Sequence, residues 1–225
     1  MGGSTAHADG RGWLMAQYLS IHPDNPQLRL IKAAAAIVAK GGVIAYPTDS
    51  SYALGCALEN KEGRDRICRL RELDPKHPFT LMCRDLSDIG VYAQVENRAY
   101  RILRAHTPGP YTFILPASRE VPRRLLDPKR RTIGLRVPGH PVTQALLAEL
   151  GAPLMSVTLI LPGDESPLGD PVLIRERLEH QIDAVIDGGA CAGEHTTIVE
   201  WDGQTFQLNR AGLADPAWFA PEAAG

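Results

Sequence analysis

The segment GGVIAYPTDSSYALGC, residues 41–56, constrains the fold more than any other part of the chain. Its apolar run Val43-Ile44-Ala45-Tyr46 has the length and content of a buried strand. Pro47 has no N–H for a sheet ladder, so the strand is expected to end there in a turn. What the strand carries to its carboxyl end is Thr48, Asp49, Ser50 and Ser51. Ligands of open α/β sheets sit beyond the carboxyl ends of strands. A polar, self-capping turn accounts for the same four residues, and this stretch alone leaves both readings open.

Strands and helices alternate along the chain. Residues 18–21 read as a strand, and Asn25-Pro26 as the start of a helix that carries Leu28, Ile31, Ala35 and Val38 to Gly41-Gly42. Residues 61–73 read as a helix broken at Asp74-Pro75, 79–83 as a strand and 97–106 as a helix. Strands follow at 111–115 and 132–137, with a short helical turn at 121–127 between them. His140-Pro141 opens a helix stopped by Gly151; then come a strand at 154–161, a loop at 162–169, and a helix from Asp170-Pro171 to about 180. The last strands are expected near 184–186, 197–201 and 206–208, with Asp202-Gly203 as a hairpin turn. The expectation is one α/β domain on a mixed sheet over residues 17–215, a flexible leader at 1–16 in which Met15 is a candidate original start, and a tail at 216–225.

Composition narrows the class. With 225 residues, 44% hydrophobic and 22% charged, the chain is long enough for one sizeable core. No apolar run approaches the roughly 20 residues of a membrane span, and the polar start lacks a signal-peptide segment. Cys56, Cys68, Cys83 and Cys191 show no metal-ligand spacing, and a reducing, cytoplasmic setting is expected. The net charge of −2 hides an asymmetry: ten basic side chains lie between Arg98 and Arg136 against Glu120 and Asp127. Arginine outnumbers lysine there, and its fork suits bidentate phosphate contact, although a solvated face has the same composition.

Nucleotide-binding glycine fingerprints, a nucleophile elbow and the H-E-x-x-H zinc motif are all missing, and the seven histidines are scattered. What remains are pieces that place a hydroxyl, a turn or a guanidinium at an element end: Pro-Thr-Asp-Ser, Arg69-Leu70-Arg71, Pro-Gly-Pro-Tyr-Thr, Gly-Leu-Arg-Val-Pro and Asn-Arg-Ala-Gly. Together they describe a pocket for anionic groups without an evident nucleophile or base.

Four of these stretches, KGGVIAYPTDSSYALGC (40–56), TPGPYTFIL (107–115), TIGLRVPGHP (132–141) and LNRAG (208–212), carry a resemblance to the YrdC/YciO group, which includes threonylcarbamoyl-AMP synthases. IHPDNPQ (21–27), FTLMCRDLS (79–87) and VPRRLLDPKRRTIGLRVP (121–138) make the chain most similar to the YciO branch, and the extra C-terminal domain of some members is not expected here. The resemblance implies a YrdC-like twisted mixed parallel/antiparallel sheet flanked by helices, with a basic concave cleft. It implies ATP, L-threonine and bicarbonate as substrates, Mg2+ with the ATP, and threonylcarbamoyl-AMP and pyrophosphate as products for N6-threonylcarbamoyl modification of tRNA. Such chemistry is mainly positioning and charge neutralisation. By motif, Thr48 would hold the amino acid and Arg136 would lie near its carboxylate; Arg69, Arg71, Thr112, Thr158 and Arg210 would meet the nucleotide. Arg123, Arg124, Arg130 and Arg131 are the candidate contacts to tRNA or another structured RNA.

The chain departs from the synthases at two places. Arg69 stands where a Lys-x-Arg pair has lysine, and Ile160 stands where Ser-x-Asn has an asparagine. Two alternatives therefore stay open: a non-catalytic double-stranded RNA or ribosome binder using the same cleft, and adenylation of a different carbamate or amino acid.

Overall fold

The computed structural model describes residues 15–127 and 129–219. Residues 1–14 of the leader expected at 1–16, and the last residues, 220–225, lie outside the described part. The strands are β1 (Gln17–Ser20), β2 (Ile44–Pro47), β3 (Tyr52–Ala57), β4 (Thr80–Met82), β5 (Tyr111–Pro116), β6 (Thr132–Arg136), β7 (Leu154–Thr158), β8 (Ala184–Asp187), β9 (Thr197–Trp201) and β10 (Phe206–Arg210). The helices are α1 (Leu28–Ala39), α2 (Lys61–Leu70), α3 (Leu86–Tyr92), α4 (Asn97–His106), α5 (Pro141–Leu150) and α6 (Pro171–Leu178), with short 3-10 turns at Arg123–Leu125 and Pro216–Phe219. All ten strands form one mixed sheet, in the order β1-β8-β2-β3-β7-β4-β6-β5-β9-β10. No helix among the described residues is long and apolar enough to cross a membrane.

Several elements differ from the expectation for identifiable reasons. Residues 52–57, left unassigned, form β3, which returns antiparallel to β2 through a four-residue loop at 48–51. Its Ala-Leu-Gly-Cys content gave little β-propensity, so pairing on both edges decides it. Helix α3 was also unassigned; Asp85 caps it by accepting the N–H groups of Ser87 and Asp88. Helix α1 starts at Leu28 behind Gln27, without a side-chain cap, two residues after the expected proline. Helix α2 ends at Leu70 because Glu72 takes φ +51°, which breaks the ladder before Leu73. Strand β7 stops at Thr158, after which Leu159 donates to Tyr52 O and accepts from Leu168 N–H. The β9–β10 connection is a four-residue loop in which Asp202 caps the amides of Gln204 and Thr205. Pro216–Phe219, expected in a tail, seats Phe219 against Tyr111, Phe113 and Phe206 in the core.

The period of two along each strand sorts its residues onto two faces. One face is apolar along most of its length: Val43, Ala45, Leu54, Leu81, Phe113, Leu135, Met155, Val185 and Val199 share the larger core. On the opposite face, α1 and α5 cover the β1-β8-β2 end and reach onto β3, where Leu19, Ile44, Tyr46, Ala53 and Ile186 meet Ile31, Val38, Val142 and Leu146, with Leu154 and Met82 at the edge of the cluster. The rest of that face, across β6, β5 and β9 and the remaining length of β7 and β4, has no extensive helix contact among the described residues. Gly55 illustrates the tightness at the boundary: a Cβ there would lie 2.8 Å from the Tyr46 ring. That ring is buried, and its hydroxyl donates to Ser156 Oγ at 2.6 Å, so it has little room to swing. Gly55→Ala is therefore expected to destabilise the protein by about 1–3 kcal/mol, read as a lower urea midpoint at unchanged slope.

Candidate functional site

The uncovered half of the sheet forms the floor of a cavity of about 400 Å³, a size suited to a small-molecule ligand. Its floor consists of alternate residues: Thr80 and Met82 of β4, Gly134 and Arg136 of β6, Thr112 and Ile114 of β5, Ser156 and Thr158 of β7, Ile198 and Glu200 of β9. These are the partners, by strand alternation, of the apolar residues that fill the core below.

The loop at 48–51 makes one wall. Thr48 N–H donates to Ser51 O at 3.0 Å, and the Thr48 hydroxyl donates to the same carbonyl at 2.6 Å. That hydroxyl oxygen also accepts the N–H groups of Ser50 and Ser51, so the threonine folds the loop on itself. Arg136, the last residue of β6, crosses to this loop. One of its terminal nitrogens donates to Asp49 Oδ1 in a close ion pair, to Ser50 Oγ at 3.1 Å and to Thr48 Oγ1 at 3.3 Å. Gly139 N–H donates to the other Asp49 oxygen at 2.8 Å, and a Cβ on Gly139 would come within 3.1 Å of it. Arg136 is only 4% exposed and the Asp49 side chain 19%. Arg136 thus holds the loop in place, and its charge is already partnered by Asp49.

Two other arginines face the cavity without a carboxylate partner among the described residues. Arg71, just past α2, donates Nε–H to Ile160 O at 2.6 Å. Arg210, at the end of β10, donates to Thr196 O at 3.1 Å and Thr196 Oγ1 at 3.4 Å. The Thr196 hydroxyl lies 3.1 Å from that of Thr112, and both are buried. Burial lowers the pKa of Arg71 and Arg210, yet a guanidinium keeps its proton in proteins. Both side chains leave further N–H donors for an anion. The loop carrying His77 is anchored by Arg64, which stacks 5.3 Å over the Phe79 ring and donates to Pro75 O. Burial, and then Arg71, lowers the pKa of His77.

Of the residues singled out from the sequence, the fold brings Thr48, Arg71, Thr112, Arg136, Thr158 and Arg210 to this one cavity. Arg69 is elsewhere: it lines a separate open groove with Arg66, Glu72 and Arg177. Residues two apart at a helix end point in different directions, which separates it from Arg71. Arg130 reaches the cavity rim, where it pairs with Glu200. Arg124 is turned to Leu58 O and Glu59, while Arg123 and Arg131 are exposed outside the cavity. Sequence reading missed Ser156, His195, Thr196 and Ile198; the small-or-polar alternation in Thr-Ile-Gly-Leu-Arg and Ile-Val-Glu is the signal for that face.

Residues 36–212 match the Sua5_yciO_yrdC family, described as telomere recombination. The chain belongs to this family. It is 53% identical over 201 residues to the uncharacterized protein YciO of Escherichia coli K12, covering 89% of this chain and 98% of that protein. The crystal structure of E. coli YciO superposes with a TM-score of 0.87 over 91% of this chain and 100% of that one. A threonylcarbamoyl-AMP synthase of Hydrogenovibrio crunogenus is 31% identical over 186 residues, 80% of this chain and 97% of that protein. The crystal structure of P. abyssi Sua5 complexed with L-threonine shares the fold, with a TM-score of 0.79 at 22% identity over 87% of this chain and 57% of that one.

Within this family fold, the Asp49–Arg136 pair is open to a direct test. Asp49→Ala leaves the buried Arg136 charge uncompensated and should cost about 3 kcal/mol of stability. Adding Arg136→Met removes that orphaned charge, so the double variant should recover part of the loss. Equal losses in single and double variants, measured by chemical denaturation, would contradict this account of the loop.

Proposed function

We propose that the cavity binds ATP together with a small amino acid, and that the protein makes threonylcarbamoyl-AMP from L-threonine, bicarbonate and ATP, serving tRNA modification. The observation that carries this reading is the pair Arg71, half-buried, and Arg210, more exposed, two guanidiniums that face one cavity without carboxylate partners among the described residues. Each is held in direction by a carbonyl and keeps further N–H donors and its charge for an anion. Ile114, Leu125, Ile133 and Ile198 give the same cavity an apolar wall for a base. The relatives supply the identity of the substrates: one is named a threonylcarbamoyl-AMP synthase, and P. abyssi Sua5 was crystallised with L-threonine.

In this reading the threonine nitrogen bonds to the bicarbonate carbon with loss of water, and the resulting carbamate oxygen attacks the α-phosphorus as pyrophosphate leaves. The residues bind and orient. Arg71 and Arg210 neutralise phosphate charge, the Thr112 and Thr196 hydroxyls bond phosphate or ribose oxygens, and the 48–51 loop with Thr158 receives the amino acid. Magnesium brought in with the triphosphate would supply charge neutralisation on the phosphates. Asp127 and Glu200 are the carboxylates lining the cavity, and Asp127, whose Oδ1 accepts the Lys129 and Arg130 amides, would be the one to hold the water shell of such an ion through its other oxygen. The four cysteines are free, and burial raises the thiols of Cys56 to about 12 and Cys191 to about 11. Unreactive thiols of this kind are at home in a reducing cytoplasm.

Ile160 bears on the rate. Its carbonyl positions Arg71, but its side chain lines the cavity with no polar atom. Pyrophosphate release from MgATP should require both threonine and bicarbonate. Arg71→Ala should lower kcat/KM by about a hundredfold, and Ile160→Asn should raise it about tenfold, the worth of one added hydrogen bond to a charged ligand. Release that ignores threonine would remove this chemistry.

A second reading, structured RNA at the cavity mouth, is supported by Arg130 at the rim beside exposed Lys129 and Arg131. Phosphate contacts release counterions, so affinity for tRNA should fall steeply with salt. Arg123→Ala with Arg131→Ala should flatten that dependence by about one to two units of log–log slope in filter binding. An unchanged slope would exclude this segment.

A further inference from the structure

His195 sits in the loop before β9, on the cavity wall, and nothing in the chemistry above uses it. Its backbone is fixed: the carbonyl accepts Leu213 N–H at 2.8 Å, and the next residue, Thr196, holds Arg210. Its Nδ1 is buried and has no hydrogen-bond partner among the described residues. Burial, then Arg210, then Arg71 lowers the pKa of the ring below the ordinary histidine value. The free protein therefore holds it neutral near neutral pH.

The charged groups that act on the ring are thus both positive, one from β10 and one from the end of α2. The two carboxylates that line the cavity have other partners, Glu200 with Arg130 and Asn209 and Asp127 with backbone amides, and Asp49 of the neighbouring loop is paired with Arg136. Glu194, the neighbour in sequence, is exposed and bonds Ser50 O through its backbone N–H. His77 feels Arg71 as well, together with Asp74 and Arg64, and is the other imidazole lining the cavity.

An anion large enough to neutralise both arginines reverses this field. The two positive charges are cancelled, and the remaining negative charge of the ligand faces the ring. We propose that His195 is a third cation of the anion site, taking one proton from solvent when a ligand with two or more linked phosphates occupies Arg71 and Arg210. The inference rests on the nucleotide reading and deepens it, by fixing the ligand class as a polyphosphate and tying its binding to pH.

The sign follows from linkage. The ring binds more protons in the complex than in the free protein, so affinity rises as pH falls. The gain is complete below the free-protein pKa and is lost as pH rises through the pKa in the complex. For one proton the gain is at most about tenfold per pH unit.

The test is calorimetric titration of ATP into the full chain near about pH 7, in two buffers of different ionisation enthalpy, for wild type, H195Q and H77Q. ATP itself titrates in this range, so the decisive quantity is the difference between wild type and H195Q. Wild type should take up as much as about one proton more than H195Q, and H77Q should retain that uptake. Histidine ring resonances of the wild-type protein provide an independent reading: one ring should pass from neutral to charged on adding ATP, and that ring should be missing in H195Q. Equal proton counts in wild type and H195Q, or bound ATP with no ring changing state, would overturn the role of His195 and leave the nucleotide reading standing. Absence of any ATP binding would overturn both.

Discussion

Side chains alternate across a β-strand, and in this chain the covering helices are too few for both faces of the sheet. The face that carries Phe113, Leu135, Met155 and Val199 is apolar and packed. The other face is covered by α1 and α5 over β1, β8, β2 and part of β3, with only Leu154 and Met82 of the next strands reaching that cluster. An α/β sheet ordinarily buries both faces under helices, so the uncovered strands must either be polar on that face or line a site. They do both. Thr112, Ser156, Thr158 and Arg136 lie there among Ile114, Ile198 and Gly134, and the cavity is the volume a further helix would otherwise fill.

The open face needs its rim held without helices, and electrostatics takes that role. Arg136 reaches from β6 to the 48–51 loop, across a sheet in which β3, β7 and β4 intervene between β2 and β6. A hydrophobic contact would hold the same two segments together, but it would not present hydroxyls and amides at the surface. The ion pair fixes the loop while its oxygens remain at the cavity edge. The division of labour among the arginines follows. Arg136 has its charge paired with Asp49, whereas Arg71 and Arg210 are restrained by carbonyls that fix direction without cancelling charge.

Much of this was legible in the sequence, and the failures have physical causes. The central strand, the loop after Pro47, the capped helix behind His140-Pro141 and the one behind Asp170-Pro171 are written in local chemistry, as proline positions and capping side chains. Strand β3 was not legible, because Ala53, Gly55 and Cys56 owe their conformation to neighbours on both sides rather than to propensity. Nor was the partner of Arg136, since Asp49 is 87 residues away and is reached only through sheet order. The single-residue signals for Thr196 and His195 were absent for the same reason: each matters through what β10 and α2 bring beside it.

The two departures from the synthase pattern weigh differently once they are placed in space. Arg69 and Arg71 are adjacent in the motif but diverge at the end of α2, and Arg69 lies in another groove. Replacing lysine by arginine at position 69 therefore has no direct path to a ligand held by Arg71 in this arrangement. Ile160 is different. Its side chain lines the cavity, while its main-chain carbonyl still directs Arg71. The substitution separates two roles that one residue can combine: orienting the guanidinium, which the backbone keeps, and contacting the ligand through an amide, which isoleucine cannot do. Under the proposed chemistry the arginine stays aligned and a ligand contact is lost, a pattern that weakens turnover without dismantling the site.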